Sequence, residues 1–247
     1  MISLKSGFEI AKVKDKKDKS IDTIYIKDID EDMHGEKHMT EFIVKKSEHL
    51  QVMPSSRHSA IAVYGPSGVG KSVWISNFLT EYRKKFKNKA IYVFSPIKDE
   101  AGYIKNKAIY IKLDESIIAD PLQVPEFENS ICVFDDIESL NKVFYPIISN
   151  FRDRILEIGR HNNIDIISVH HVIQGGIATR KIINESDMTV VFPRSNFNSI
   201  EKLAKNYFGF TKPDIAYLKN LGKTSRYAVI KRSYPSVIIS EREIRIV

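Results

Sequence analysis

The strongest hydrophobic signals in the chain are short runs that are apolar throughout rather than alternating. Ala60-Ile61-Ala62-Val63-Tyr64, Ala90-Ile91-Tyr92-Val93-Phe94 and Ile131-Cys132-Val133-Phe134 have the length and composition of strands buried on both faces of a sheet, and a further strand is expected at 164–169. Between them runs a helical period. Ile75, Phe78, Leu79, Tyr82 and Phe86 mark one face of a helix reaching about Lys87, and Ile148, Phe151, Ile155 and Ile158 mark a second, closed by Gly159. Strand, loop, helix, strand is the start of a parallel, doubly wound α/β sheet. A weaker strand is expected at 108–111 and another at 187–192. Helices are expected at 199–208 and 213–221, and closing strands at 227–231 and 237–239.

Residues 1–58 follow a different pattern. They are polar and irregular, with short strands predicted at 7–13 and 21–26 around the run Lys14-Asp15-Lys16-Lys17-Asp18-Lys19. Its alternating signs suit a solvated hairpin loop. The expected organisation is a small β-rich N-terminal extension, 1–58, followed by one α/β domain, 59–247, within the size range of single domains.

Composition narrows the setting. Lys plus Arg number 38 against 31 Asp plus Glu, a formal charge of +7 that favours a polyanionic partner. The single cysteine, Cys132, excludes an intrachain disulfide and a cysteine-based zinc site, and its apolar neighbours make it core filler. Met1-Ile2-Ser3-Leu4-Lys5 lacks the apolar core of a signal peptide, and no apolar run approaches the roughly 18 residues of a membrane span. The expectation is an intracellular protein in a reducing compartment, without stable membrane insertion. His34 and His38 stand four apart, but Gly35 between them disfavours the helix that would make them joint metal ligands.

Chemistry concentrates after two of the apolar runs. The first leads into Gly65-Pro66-Ser67-Gly68-Val69-Gly70-Lys71-Ser72 and then Val73, the pattern of a phosphate-binding loop between strand and helix. Gly65, Gly68 and Gly70 are expected to take positive φ and turn N–H groups toward a phosphate chain, aided by the helix dipole. Lys71 would reach β- and γ-phosphates of ATP, and Ser72 would hold Mg²⁺. The third run ends in Asp135-Asp136, which a parallel sheet would set at its carboxyl edge beside that loop. This is the form of a Walker B segment. Asp135 would serve Mg²⁺ and Asp136 would orient or deprotonate the attacking water, with Glu138 in reserve.

These two segments, together with Gly159-Arg160-His161-Asn162-Asn163-Ile164 leading into strand 165–169, resemble the genome-packaging ATPases of large DNA viruses and virophages, within the FtsK and HerA group. The resemblance covers about residues 60–192. It implies a RecA-like P-loop fold with a mostly parallel sheet flanked by helices, and a homo-oligomeric ring, pentamer or hexamer, around double-stranded DNA. It further implies a capsid or portal-vertex partner, action at the assembly site in the infected host cytoplasm or in the virion, and an arginine supplied in trans. Arg160 is the first choice for that finger, with Arg152, Arg154 and Arg180 as competitors. Family members often carry a polar sensor, commonly Gln, after the strand that follows Gly-Arg-His. Here His171 or His170 takes its place, with Gln174 beyond.

Other P-loop readings fit less well. A GTPase lacks its Asn-Lys-x-Asp signature, since Asn141-Lys142-Val143-Phe144 has no acid, and Asp99-Glu100-Ala101-Gly102 mimics a switch motif by chance. A small-molecule kinase leaves the paired carboxylates and Gly159-Arg160-His161 unexplained. A helicase, a conjugative DNA pump and a nucleotide-gated capsid or scaffold protein with little hydrolysis stay open. In the motor reading Lys202, Lys205, Lys219, Lys223 and Arg226 are candidates to line a DNA pore.

Overall fold

The structure, a computed structural model, describes residues 1–27, 39–98, 100–173 and 177–247. His34, His38, Asp99 and Gln174 lie outside the described residues. The chain forms two compact units, one of Met1–Ser55 together with Asp187–Val247 and one of Ser56–Ser186. This differs from the expected division at 58/59, which assigned everything downstream to the α/β domain.

The first unit opens with β1 (Ile2–Ser3), β2 (Phe8–Lys14), β3 (Ser20–Ile26), β4 (Glu41–Ile43) and β5 (His49–Val52). β1, β3, β2 and β5 form an antiparallel sheet in that order. The alternating charges turn the β2–β3 hairpin. Asp15 Oδ1 accepts from the backbone N–H groups of Lys17 and Lys19 at 2.8 and 2.9 Å, and Asp18 takes the left-handed conformation that Asp tolerates.

The second unit carries β6 (Ala60–Tyr64), α1 (Lys71–Lys85), β7 (Ala90–Phe94), α2 (Ala101–Lys105), β8 (Ile109–Tyr110), α3 (Ser116–Ala119), β9 (Ser130–Phe134), α4 (Phe144–Ile158), β10 (Ile164–His170) and α5 (Ile177–Glu185). Its strands are all parallel, in the order β6-β10-β9-β7-β8. Every residue of β6, β9 and β10 is buried, so β6 reads as an unbroken apolar run, and the polar Ser130, Asp165 and Ser168 of the other two are hydrogen-bonded within the core. Helix α1 buries Ile75, Phe78, Leu79 and Tyr82 as its period predicts. On α4, Ile148, Phe151 and Ile155 are buried but Ile158 is exposed. Phe94 stacks on Phe134 at 4.5 Å, with Phe127 and Phe151 packed around them. Helices α2 and α5 had no counterpart in the sequence expectations. The class is α/β, with a parallel sheet flanked by helices and a separate small antiparallel sheet.

The first unit is completed by β11 (Met188–Val191), α6 (Phe197–Phe208), α7 (Lys212–Thr224), β12 (Ala228–Lys231), β13 (Val237–Ser240) and β14 (Glu243–Ile246). β11, β12, β13, β14 and β4 pair antiparallel in that order. The pairing of β4 with β14, and bonds from Val44 N to Arg242 O and Leu50 N to Glu241 O, both 2.9 Å, tie the two chain ends together. This long-range pairing is the reason the unit boundaries differ from the sequence expectation.

Candidate functional site

The order of the parallel sheet brings three loops to neighbouring carboxyl ends: 65–70 after β6, 135–138 after β9, and His171 after β10, which lies between the other two. In the first loop Gly68 (φ 78°) and Gly70 (φ 106°) hold the left-handed backbone expected of them. Gly65 does not. It continues the strand, its N–H donating to His170 O at 3.0 Å. Gly70 caps α1, whose first turn has neither an acidic residue nor a side-chain cap, so the first N–H groups keep their capacity for an anion.

Lys71 is 8% exposed. Its ammonium donates to Gly65 O at 2.7 Å and Pro66 O at 3.1 Å and approaches His171 Nδ1 at 3.3 Å. Burial lowers its pKa, opposed by Asp135, Asp136, Glu138 and Glu100. An ammonium only donates, so Nδ1 of His171 is the acceptor and its proton sits on Nε2. That Nε2–H points at Asp136 Oδ1, 2.7 Å away. Asp136 itself holds a left-handed backbone, φ 57°.

Asp135 is 8% exposed and, among the described residues, its side chain has one hydrogen bond, from Tyr103 Oη to Oδ2 at 2.6 Å. Burial pushes its carboxyl up to about 6. The Tyr103 bond and Lys71 oppose the shift, while Glu100 and Asp136 add to it. Burial and the adjacent Asp135 charge drive the Tyr103 hydroxyl well above its ordinary value, so it stays a donor. Glu138 is engaged elsewhere, accepting from His170 Nδ1 at 2.5 Å while Ser168 Oγ lies 2.8 Å from Nε2. Burial alone would raise Glu138, but the bond and charge of His170, with Arg152 and His171 near, hold it below the usual carboxylate range. Burial likewise lowers the His170 pKa.

A cleft of about 570 Å³ opens between these loops, lined by Ser67, Gly68, Gly70, Lys71, Ser72 and Val73 on one side and by Asp135, Asp136 and His171 on the other. Of the two histidines, His171 faces the cleft and His170 is buried behind it, stacked on Tyr64 at 5.0 Å. Sequence reading missed Tyr103 and Glu100. Both follow β7 on or beside α2, and Glu100 lines the cleft. The apolar position of Tyr103 gave no hint of a polar task, and Glu100 fell in a motif dismissed as chance.

Arg160 does not join the cleft. It is exposed in the turn Gly159–Asn162, which precedes β10 and so lies at the amino ends of the strands. Gly159 is required there for packing, because a Cβ would meet Ile155 Cγ2 at 3.1 Å and Ile164 O at 3.2 Å. Arg152 is buried and paired with Asp153 at 2.7 Å, while Arg154 and Arg180 are exposed.

Comparison with known proteins gives three findings. No family model matches the chain. The chain is 30% identical over 210 residues to the uncharacterized protein V3 of Sputnik virophage, covering 84% of each. Its fold is similar to the genome packaging NTPase B204 of Sulfolobus turreted icosahedral virus 2. With the AMPPCP complex the TM-score is 0.51 at 11% identity, covering 75% of this chain and 99% of that one. With the sulfate complex it is 0.50 at 14% identity, covering 77% and 96%. The chain thus belongs to the family of virophage protein V3 and has the fold of a viral genome-packaging ATPase.

Proposed function

We propose that the chain is the ATP-hydrolysing subunit of a ring-shaped homo-oligomeric motor that drives double-stranded viral DNA into a preformed capsid. The observation that carries this reading is the convergence of Lys71, Ser72, Asp135, Asp136 and His171 on one cleft at the carboxyl edge of the parallel sheet. The resemblance of the Gly159–Asn163 element to packaging ATPases and the kinship with a virophage protein favour DNA as cargo. The sites of action that follow are the assembly site in the infected cell and the virion, with a capsid or portal-vertex protein as partner. No helix among the described residues is long and apolar enough to cross a membrane.

Each residue then has a task. Within the Gly65–Val73 segment the N–H groups from Ser67 onward cradle the phosphates of ATP, and Lys71 exchanges its carbonyl partners for β- and γ-phosphate oxygens. The donor set fits Mg²⁺: Ser72 and Asp135 offer hard oxygens, and among the described residues Asp135 has one side-chain donor. Among the described residues no cluster of three or more His, Cys, Asp or Glu side chains could hold a metal, which suits an ion shared with substrate phosphates. When bound, Mg²⁺ neutralises charge on the β- and γ-phosphate oxygens. Asp136 takes the proton of the attacking water, with its carboxylate held by His171 Nε2–H. Arg160, remote from the cleft of its own subunit, is the finger offered to a neighbour.

A steady-state ATPase assay with and without linear duplex DNA tests the reading. Hydrolysis should rise with DNA, and Lys71→Ala should remove most nucleotide affinity or turnover. Undiminished hydrolysis in that variant overturns the site. ATPase indifferent to DNA in assembled oligomers points to a nucleotide-gated scaffold, and ATP-dependent strand separation points to a helicase.

A further inference from the structure

Charge is distributed unevenly along the chain. Residues 194–226 hold seven basic side chains against two acidic ones, a net of +5 out of +7, whereas the unit Ser56–Ser186 carries 17 basic against 15 acidic residues. Helices α6 and α7 make up most of that segment. They bury Ile200, Leu203 and Ala204, and Ile215, Leu218 and Leu221. On α7 the exposed Lys212, Lys219 and Lys223 fall at i, i+7 and i+11, one outward stripe about 16 Å long. Lys202 and Lys205 are exposed on α6.

The platform is fixed and its acids are committed. The Arg194 guanidinium donates to Gly222 O at 2.6 Å and Lys223 O at 3.2 Å, joining the approach to α6 to the end of α7. Lys219 sits 5.7 Å from the centre of the Phe197 ring. Glu201 pairs with Lys205 at 2.7 Å, and Asp214 accepts from Thr211 N at 3.0 Å in the α7 cap. Lys202, Lys212, Lys219, Lys223 and Arg226 take part in no ion pair among the described residues. No large apolar side chain within residues 194–226 is among the exposed ones. A cationic surface without an apolar centre suits a polyanion better than the apolar core of a protein interface.

We propose that the Lys212–Lys219–Lys223 stripe, flanked by the α6 lysines, is a contact surface for the phosphate backbone of duplex DNA. This rests on the motor reading and assigns its cargo to one face of the first unit. A 16 Å stripe runs beside about five phosphates of one strand at about 3.4 Å of rise each. Lysine ammonium groups on exposed helix faces have no fixed geometry for base edges, so the contact carries no sequence preference.

The test is a salt titration of the affinity of the full chain for a duplex of arbitrary sequence, comparing wild type with a triple Lys212→Gln, Lys219→Gln, Lys223→Gln variant. Each lost phosphate contact lowers the log–log slope by about 0.9, so the triple variant should lose up to about 2.7 in slope and at least about tenfold in affinity at low salt. Its melting transition should match wild type, since all three side chains are exposed. A Lys16→Gln, Lys17→Gln control in the β2–β3 turn should keep the wild-type slope. A triple variant with the wild-type slope overturns this surface and leaves the motor reading standing. Wild type that binds no duplex at low salt overturns both. Unchanged DNA affinity with lost binding to polyglutamate assigns the face to an acidic protein and also overturns the proposal.

Discussion

The two edges of the parallel sheet each bury an aspartate, and the two are treated in opposite ways. At the amino edge, Asp165 on β10 is saturated. Its Oδ1 accepts from Ser59 N at 2.7 Å and faces His58, and its Oδ2 accepts from Tyr82 Oη at 2.5 Å and Lys89 Nζ at 2.9 Å. Lys89 also binds Asn163 Oδ1 at 2.8 Å, so the same carboxylate secures the turn after Arg160. At the carboxyl edge, the Asp135 side chain has Tyr103 as its one hydrogen-bond partner among the described residues, and burial pushes its carboxyl up to about 6. A buried carboxylate given all its partners is a fastener, whereas one left short of partners is poised for something that arrives from solution.

The strongest challenge to this contrast is Arg160, an exposed side chain at the fastener edge. If it serves a neighbouring subunit, Arg160→Ala should bind ATP normally yet lose roughly 10³ to 10⁵ in turnover. Mixing it with Lys71→Ala protein should restore some activity, read as ATPase against mixing ratio. Absence of rescue in verified mixed rings would return Arg160 to a structural role and leave the amino edge purely architectural.

Next in size is Asp165→Asn. Removing one partner of a buried pair strands the other, so unfolding free energy should fall by about 3 kcal/mol in urea titrations, with nucleotide affinity of the folded protein unchanged. A loss confined to affinity would erase the distinction between the edges.

Asp135→Asn should act with the opposite sign. Because the folded carboxyl titrates near 6 against about 3.9 unfolded, the folded state holds more protons between those values. The contribution of Asp135 to stability therefore worsens as pH rises through about 6, by at most about 3 kcal/mol. Without metal or nucleotide, the Asn variant should melt above wild type at pH 8, and the gap should close toward pH 4. An unchanged gap across that range would remove Asp135 as its cause.

The smallest effect sharpens the same point. Tyr103→Phe deletes the one side-chain donor to Asp135, so the Mg²⁺ concentration needed for half-maximal nucleotide binding should rise about tenfold. Affinity measured without metal should barely move. If it falls equally, Tyr103 is packing and nothing more.

The sequence made the cleft half legible. Gly65–Ser72 and Asp135-Asp136 are local strings whose chemistry is fixed by residue type and spacing, and they were found. The choice between His170 and His171 was not, because every residue of β10 is buried and its sequence, polar at Asp165 and Ser168, has no regular alternation to separate inward from outward. Tyr103 was invisible for another reason: α2 is five residues long, too short for a period, and the tyrosine's partner Asp135 is 32 positions away. The compact units divide elsewhere than at 58/59 because β4 and β14, three and four residues long, find each other across the chain.

In the proposed cycle Lys71 would act at the end as well as at the beginning. Two carbonyl oxygens and an imidazole nitrogen stand within 3.3 Å of its ammonium, so departing phosphates need not abandon a buried cation to a dry pocket. The loop supplies its own exit partner for that charge. In the proposed cycle product release would be eased by the same contacts that an incoming triphosphate would have to displace. A shorter phosphate chain that cannot reach the ammonium would gain nothing from breaking them, so under that proposal the resting loop would discriminate by length.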